Sequence, residues 1–569
     1  MTFAQKTFAP KRFAQKLLSR EVVTVLAIAA LGLGLRLYGL GDAWLNPDEG
    51  IYYSMTAWRD ADRFWEEVPG NAHPPLYYLM LRAIASFTSD FVALRLLSVF
   101  SGVASIFAIY ALSRALLSSH ESPAQQSIAA LSAALVVAVA PGHVMLSQIL
   151  RPYAFLIAML CFGMAGLVSW LRGGRSSALA LYVVATSLAL LTHYSALLVA
   201  PAMAAVLVLA VLRGDLRGRR LWQTAAVQVV PIGIVAALYF LHLRPRLIGS
   251  ALADQALAES GWLTPFLIDS GFDVWTHTKG FLSFLFGQSF EVLALLLSIV
   301  GFAALAWRRE VQALVLLATL WGTAVGLAAL GKYPFGACRH ATWVLPVFVV
   351  AAARAVSAVT LAIGWRRERG FVLAGLAALA LGLCWYAGPE FARYTNGGVP
   401  HQEIAAEKAV PRASIARFAA VQSEIEGEAT FVLTDMQSYY TLLPLYRRSR
   451  EAATVAADIT WLRFPWGNAE VVVAWRWMLS PLPQDYGTPA HILELMRVRD
   501  AAVADGPRLA KSATCYLLWA GWPAGGPIAL AQTNAALPTE KRFIDRAFSV
   551  PGVTAYRVDL PKLVAALRR

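Results

Sequence analysis

Eleven stretches of mainly apolar residues, each close to the length of a bilayer-crossing helix, follow one another through most of this chain. They lie near 22–40, 93–117, 127–146, 152–171, 177–192, 195–212, 223–243, 285–307, 311–331, 341–363 and 370–388. A transmembrane helix needs about 20 such residues. The chain is 58% hydrophobic and 15% charged, against the roughly 45–50% apolar content of soluble domains. The pattern predicts a mainly α, polytopic membrane protein of about 11 transmembrane helices.

An odd number of spans puts the two ends on opposite sides. If the basic tail (Lys6, Lys11, Arg12, Lys16, Arg20) is cytoplasmic, Arg114, Arg172 with Arg175, Arg213 to Arg220, Arg308 with Arg309, and Arg366 to Arg369 all fall inside, as positive-inside topology requires. The net charge of +14 thus reads as orientation and not as a nucleic-acid surface. The first run spans a bilayer and ten more follow, which fits an uncleaved first span better than a signal peptide. The four cysteines (Cys161, Cys338, Cys384, Cys515) have neither zinc-site nor disulfide-framework spacing.

With this orientation nearly every unusual polar residue collects on the outer face. Polar groups at membrane depth are costly and usually face a partner or a cavity. The expected organisation is a membrane domain over 1–388, with a first outer loop at 41–92 and a second at 244–284, then an extracytoplasmic α/β domain over 389–569. In the first loop, Tyr52, Tyr53, Trp58, Phe64 and Trp65 alternate with charges, as in a helix lying in the interface plane. The second, with Trp262, Phe266 and Trp275, is long enough for a lid. In the last domain, strands are expected at Thr430 to Leu433, Val471 to Trp475, Thr514 to Trp519 and Val553 to Val558, with helices near 411–425 and 489–504. No phosphate-binding glycine motif or nucleophile elbow occurs there.

Asn46-Pro47-Asp48-Glu49 reads as a helix start, with Asn as cap, Pro at the first position and Glu49 closing a capping box. A carboxylate held at the membrane surface also suits a general base acting on an acceptor hydroxyl. Neighbouring helical residues point about 100° apart, so Asp48 is expected as base and Glu49 as cap or acceptor-holding group. His73 opens His-Pro-Pro-Leu-Tyr-Tyr, where the prolines have a structural reason and the imidazole can donate to a phosphate. Arg151 and Arg339 each read either as snorkelling arginines or as clamps on a phosphate. His340, Tyr153, His193, Tyr194 and Tyr333 complete the expected cavity, although a histidine such as His193 at a helix end is often structural.

In order, Asp48-Glu49, His73-Pro74-Pro75-Leu76-Tyr77, Arg151-Pro152-Tyr153-Ala154, Thr192-His193-Tyr194 and Arg339-His340 resemble the GT-C class of membrane glycosyltransferases. The group in question includes protein O-mannosyltransferases, the lipid A aminoarabinose transferase and bacterial relatives that add sugars to lipopolysaccharide. The resemblance spans residues 22 to about 388. It implies inverting transfer of one sugar from a polyprenyl-phosphate donor to an envelope lipid, glycan or protein on the extracytoplasmic face. Asp48 then falls at the base position and Glu49 at its acidic neighbour, with His73, Arg151, Arg339 and His340 about the donor phosphate. Two departures stand out: His73 where aminoarabinose transferases often have lysine, and His340 where tyrosine is frequent.

Some members of the class use a divalent metal. No clustered ligand set is picked out from the sequence, so a cofactor-free site is expected. The expected partners are the lipid-linked donor, an envelope acceptor and membrane lipids, but no nucleic acid. The expected location is a bacterial inner membrane, with the N-terminus cytoplasmic and the C-terminal domain periplasmic. The competing readings are a lipid-linked glycan flippase or transporter, expected to bury charges in mid-span, and a glycan polymerase or ligase.

Overall fold

A computed structural model describes residues 8–57, 61–68, 71, 73–116, 122–244, 264–288, 290–362, 409–428, 430–446, 454–455, 461–474, 514–522 and 525–567. The membrane part begins with α1 (Phe8–Leu37), then α2 (Pro47–Ala57), α3 (Ala61–Glu67), α4 (Leu76–Ala85), α5 (Phe91–Leu116), α6 (Pro123–Val139), α7 (Pro141–Leu146), α8 (Tyr153–Gly173) and α9 (Ser176–Leu190). It continues with α10 (Ala200–Leu212), α11 (Gly218–Val227), α12 (Val229–Leu238), α13 (Gly271–Phe286), α14 (Glu291–Trp307), α15 (Val311–Ala329) and α16 (Leu345–Ala362).

A helix stands at each of the first ten expected spans, while the eleventh, 370–388, lies outside the described residues. Among those residues six helices are long and apolar enough to cross a bilayer alone, and α13 with α14 adds a seventh if taken as one span. The chain is a multi-pass membrane protein. The expected run 127–146 is divided, because Pro141 has no N–H to continue α6 and starts α7 instead. Ser122 opens α6 with a capping box shared with Gln125. Of the stretch 244–284, residues 245–263 lie outside the described part, and from Gly271 the segment is a 16-residue helix capped by Ser270 and Asp273.

The C-terminal unit contains α17 (Arg412–Gly427), β1 (Phe431–Asp435), α18 (Met436–Tyr446), β2 (Thr454–Val455), β3 (Trp461–Trp466), β4 (Ala469–Ala474), β5 (Thr514–Ala520), α19 (Gly525–Ala536), β6 (Ile544–Val550), β7 (Val553–Asp559) and α20 (Leu560–Leu567). Its strands form one sheet in the order β2-β3-β4-β1-β5-β7-β6, with β1 parallel to both β4 and β5. Every residue of β1 is buried, as expected of a strand covered on both faces. All four expected strands are present; β2, β3 and β6 are additional, and the helix expected at 489–504 lies outside the described residues.

One apolar core joins this sheet to α2, α3 and α4, uniting Tyr52, Tyr53, Phe64, Tyr77 and Tyr78 with Tyr439, Tyr446, Phe464 and Tyr516. The interfacial-helix expectation is thereby corrected. Tyr52, Tyr53 and Phe64 are buried in protein, and of the described aromatics in that stretch only Trp65 is exposed.

Candidate active site

Asp48 lies in the first turn of α2, and the start of that helix is built as its sequence demands. The Glu49 N–H donates to Asn46 Oδ1 at 2.9 Å, and the Asn46 N–H returns a bond to Glu49 Oε2 at 3.3 Å. Glu49 is fully buried. Its carboxylate accepts from Arg95 at 2.9 and 2.7 Å and from the Leu150 backbone N–H at 2.6 Å. Arg95 also donates to the carbonyls of Leu40, Ala43 and Trp44, so this buried ion pair is densely bonded, as its desolvation requires.

One residue before Glu49, Asp48 is paired differently. Its Oδ2 accepts from both Arg151 and Arg339, the latter at 2.7 Å. Arg151 sits two residues before α8, and its carbonyl accepts from Ser98 of α5 at 3.2 Å. Arg339 opens the 3-10 turn Arg339–Val344 that leads into α16. Burial by itself pushes the Asp48 pKa up, but the two guanidinium charges together outweigh it and hold the carboxyl below its usual range.

Around this triangle stand aromatic and imidazole rings. The Arg151 guanidinium lies 5.3 Å from the Tyr153 ring centroid and 5.8 Å from that of Tyr52, within cation–π range. His73 stacks on His193 at 4.3 Å and on Tyr52 at 6.0 Å. Tyr153 contacts His193 at 5.4 Å and His340 at 6.2 Å, and Tyr333 meets His340 at 6.5 Å.

His193 caps the 3-10 turn Tyr194–Val199: its Nδ1 accepts the Ser195 N–H at 3.1 Å and lies 2.7 Å from the Ser195 hydroxyl. An accepting Nδ1 puts the proton of the neutral ring on Nε2. That Nε2 is buried without a hydrogen-bond partner among the described residues. Burial first, then the charge of Arg151, bring the His193 pKa down to about 3.

Of the expected site residues, the structure gathers Asp48, His73, Arg151, Tyr153, His193, Tyr333, Arg339 and His340 about one point. Tyr194 turns elsewhere, its hydroxyl 2.5 Å from His242 Nδ1, while His242 Nε2 donates to the Val68 carbonyl at 2.9 Å. Three residues of this region were not singled out from sequence as site residues. Tyr52 follows Asp48 at i+4 on one helix face, Arg95 is a lone charge inside an apolar run, and Ser195 lies two residues from His193. Each spacing was readable, but none names its partner. Among the described residues no group of three or more His, Cys, Asp or Glu side chains could hold a metal ion.

The described spans and C-terminal sheet match a solved architecture: ArnT from Cupriavidus metallidurans in the apo state superposes with a TM-score of 0.51 at 14% identity, covering 95% of this chain and 98% of that one. The fold is GT-C. A family model described as dolichyl-phosphate-mannose-protein mannosyltransferase matches residues 72–240 of this GT-C chain, a segment holding His73, Arg151 and His193 but neither Asp48 nor Arg339. The same ArnT bound to undecaprenyl phosphate gives a TM-score of 0.47 at 12% identity, covering 95% and 98% of the two chains. An Archaeoglobus fulgidus oligosaccharyltransferase tethered with an acceptor peptide gives 0.49 at 12%, covering 94% of this chain and 74% of that one. Comparison with curated protein sequences gives no significant match.

Proposed function

We propose that the protein is an inverting glycosyltransferase that moves one sugar from a polyprenyl-phosphate donor to an envelope lipid, glycan or protein. The observation that carries this reading is the triangle Arg151–Asp48–Arg339: two guanidiniums converging on one carboxylate make an anion site with a base inside it. In the transfer, an acceptor hydroxyl oxygen attacks the anomeric carbon as the bond from that carbon to the phosphate oxygen breaks. The bonding pair leaves with the polyprenyl phosphate, and the hydroxyl proton passes to Asp48.

Arg151 and Arg339 then stabilise the charge that develops on the departing phosphate, with His73 and His340 beside them. Fixed donors aimed at developing charge are commonly the largest contribution to catalysis. While it is paired to both arginines, Asp48 is a weak base. A donor phosphate that engages the guanidiniums weakens their hold on the carboxylate and raises its proton affinity. Donor binding therefore prepares the base, and the acceptor follows. Glu49, spent on Arg95, Asn46 and Leu150, holds the site and does not touch the acceptor.

The reaction is placed on the extracytoplasmic face of a bacterial inner membrane, on the strength of the basic residues in the opposite turns. The test is transfer from a panel of labelled polyprenyl-phosphate sugars to envelope lipid and glycan extract. Transfer of one sugar supports the reading. If no sugar moves, while a lipid-linked glycan crosses proteoliposomes, a flippase is indicated instead.

A further inference from the structure

Open α/β sheets bind their ligands at the carboxyl ends of parallel strands, where the strand order reverses. In the C-terminal sheet that point lies at the end of β1, whose parallel neighbours β4 and β5 flank it on either side. The edge is already filled. Gly521, directly after β5, has φ +115°, and a Cβ there would stand 2.8 Å from both Pro47 Cγ and Thr441 Oγ1. A Cβ on Gly50 would stand 2.2 Å from the Tyr440 carbonyl oxygen. Helix α18, which leaves the end of β1, thus lies against the first turn of α2 with backbone in contact.

Three further bonds tie the domain to the segment leading into α2. The Trp44 indole N–H donates to the Thr441 carbonyl, the Trp44 N–H to the Val410 carbonyl, and the Arg412 N–H to the Asp42 carbonyl, each at 2.8 Å. The position of α18 is itself fixed. Asp435 Oδ1 accepts the Ser438 N–H at 2.8 Å, and Ser438 Oγ accepts the Ala520 N–H at 2.9 Å.

We infer that the first turn of α2, Pro47 to Gly50, is the resident occupant of this crevice, and that the C-terminal domain acts in transfer by fixing Asp48 against Arg151 and Arg339. Trp44, Gly50 and Tyr440 are positioning residues, and a glycan does not bind in the crevice. The inference rests on the reading of Asp48 as the base. A displacement of about 1 Å at a reacting group can cost on the order of 100-fold in rate, which gives this contact a kinetic signature.

The experiment uses the full chain and two variants. Trp44→Phe keeps a ring but removes the donor to Thr441, and Gly50→Ala drives a methyl against the Tyr440 backbone. Each is expected to lower kcat by about 10- to 100-fold with the donor KM unchanged. Amide exchange in α2 should speed up, while α5 and α8 keep their protection. Unchanged kcat in a folded variant with loosened α2 overturns the inference, as does a raised acceptor KM at full kcat, which would make the crevice an acceptor site. If Gly50→Ala does not fold, Trp44→Phe carries the test. If the wild type transfers no sugar, the base assignment falls on its own, and unchanged α2 exchange in Trp44→Phe then overturns the docking.

Discussion

Glu49 accepts the backbone N–H of Leu150 at 2.6 Å, so the helix that carries Asp48 and the turn that carries Arg151 are joined by the residue beside each. Arg95 completes the joint with two bonds to the same carboxylate. Both side chains are almost wholly buried, and deleting one partner of such a pair costs about 3–5 kcal/mol because the other charge is stranded. Arg95→Met is therefore expected to lower thermal stability by that order and to abolish transfer. Adding Glu49→Gln to it should recover part of the stability. Unfolding of the detergent-solubilised variants checks this, and a stable, active Arg95→Met would contradict it.

The two arginines set the proton affinity of Asp48 from the same direction. Because they hold its carboxyl below the usual range, kcat/KM of the wild type should show no acid limb within or above the ordinary carboxylate range. Arg339→Gln removes one positive charge and leaves burial, which acts upwards, less opposed. The acid limb should move to higher pH and the rate should fall by about 100-fold or more. A pH profile of transfer decides it, and an unshifted limb would mean that Asp48 is not the titrating base.

His193 offers two separable jobs, one on each ring nitrogen. His193→Asn keeps an acceptor for the Ser195 N–H and loses the Nε2–H. The variant is expected to melt like the wild type yet transfer about 100-fold more slowly, the lower end of what general-acid or hydrogen-bonding donors contribute. Since the imidazole stays neutral, with a pKa near 3, the pH profile between 5 and 8 should be unchanged. Full activity would reduce His193 to a turn cap.

In the C-terminal domain, burial raises the Asp435 pKa to about 6, although the bonds from Ser438 and Gln437 pull it down. The folded state therefore holds a proton that the unfolded chain has released between its ordinary carboxylate range and about pH 6. Stability falls as pH rises through that window and levels off above it. Asp435→Asn keeps an acceptor for the Ser438 N–H without a buried charge, so the domain should be at least as stable at pH 7 and lose most of this slope. Melting curves from pH 4 to 7 measure it, and a marked loss of stability at pH 7 would count against this account.

The membrane helices were legible because a bilayer imposes a length and a composition on each of them, and a window of about 20 residues reads both. Asp48, Arg151 and Arg339 stood out because a charge at the end of an apolar run is costly. That they share one site was expected, but their direct pairing was not legible, since 103 and 291 residues separate Asp48 from its partners. Arg95 was overlooked for the same reason: its apolar surroundings were plain, but a carboxylate 46 residues earlier was not. Tyr52 and Phe64 were read as part of a helix in the interface plane because an apolar face does not declare what covers it, and the cover was a domain encoded nearly 400 residues later. Strand β3, whose buried face is Leu462, Phe464 and Trp466, was missed because Arg463 and Pro465 on the opposite face break up the apolar run.

Asp48→Asn tests the central claim most directly, through two readings on one protein: binding of polyprenyl phosphate and transfer of the sugar. Without its carboxylate charge, position 48 no longer competes for Arg151 and Arg339. The variant should bind polyprenyl phosphate at least as tightly as the wild type while transfer falls by about 1,000-fold or more. Transfer at the wild-type rate, or loss of transfer traced wholly to lost donor binding, would contradict the assignment of Asp48 as the base.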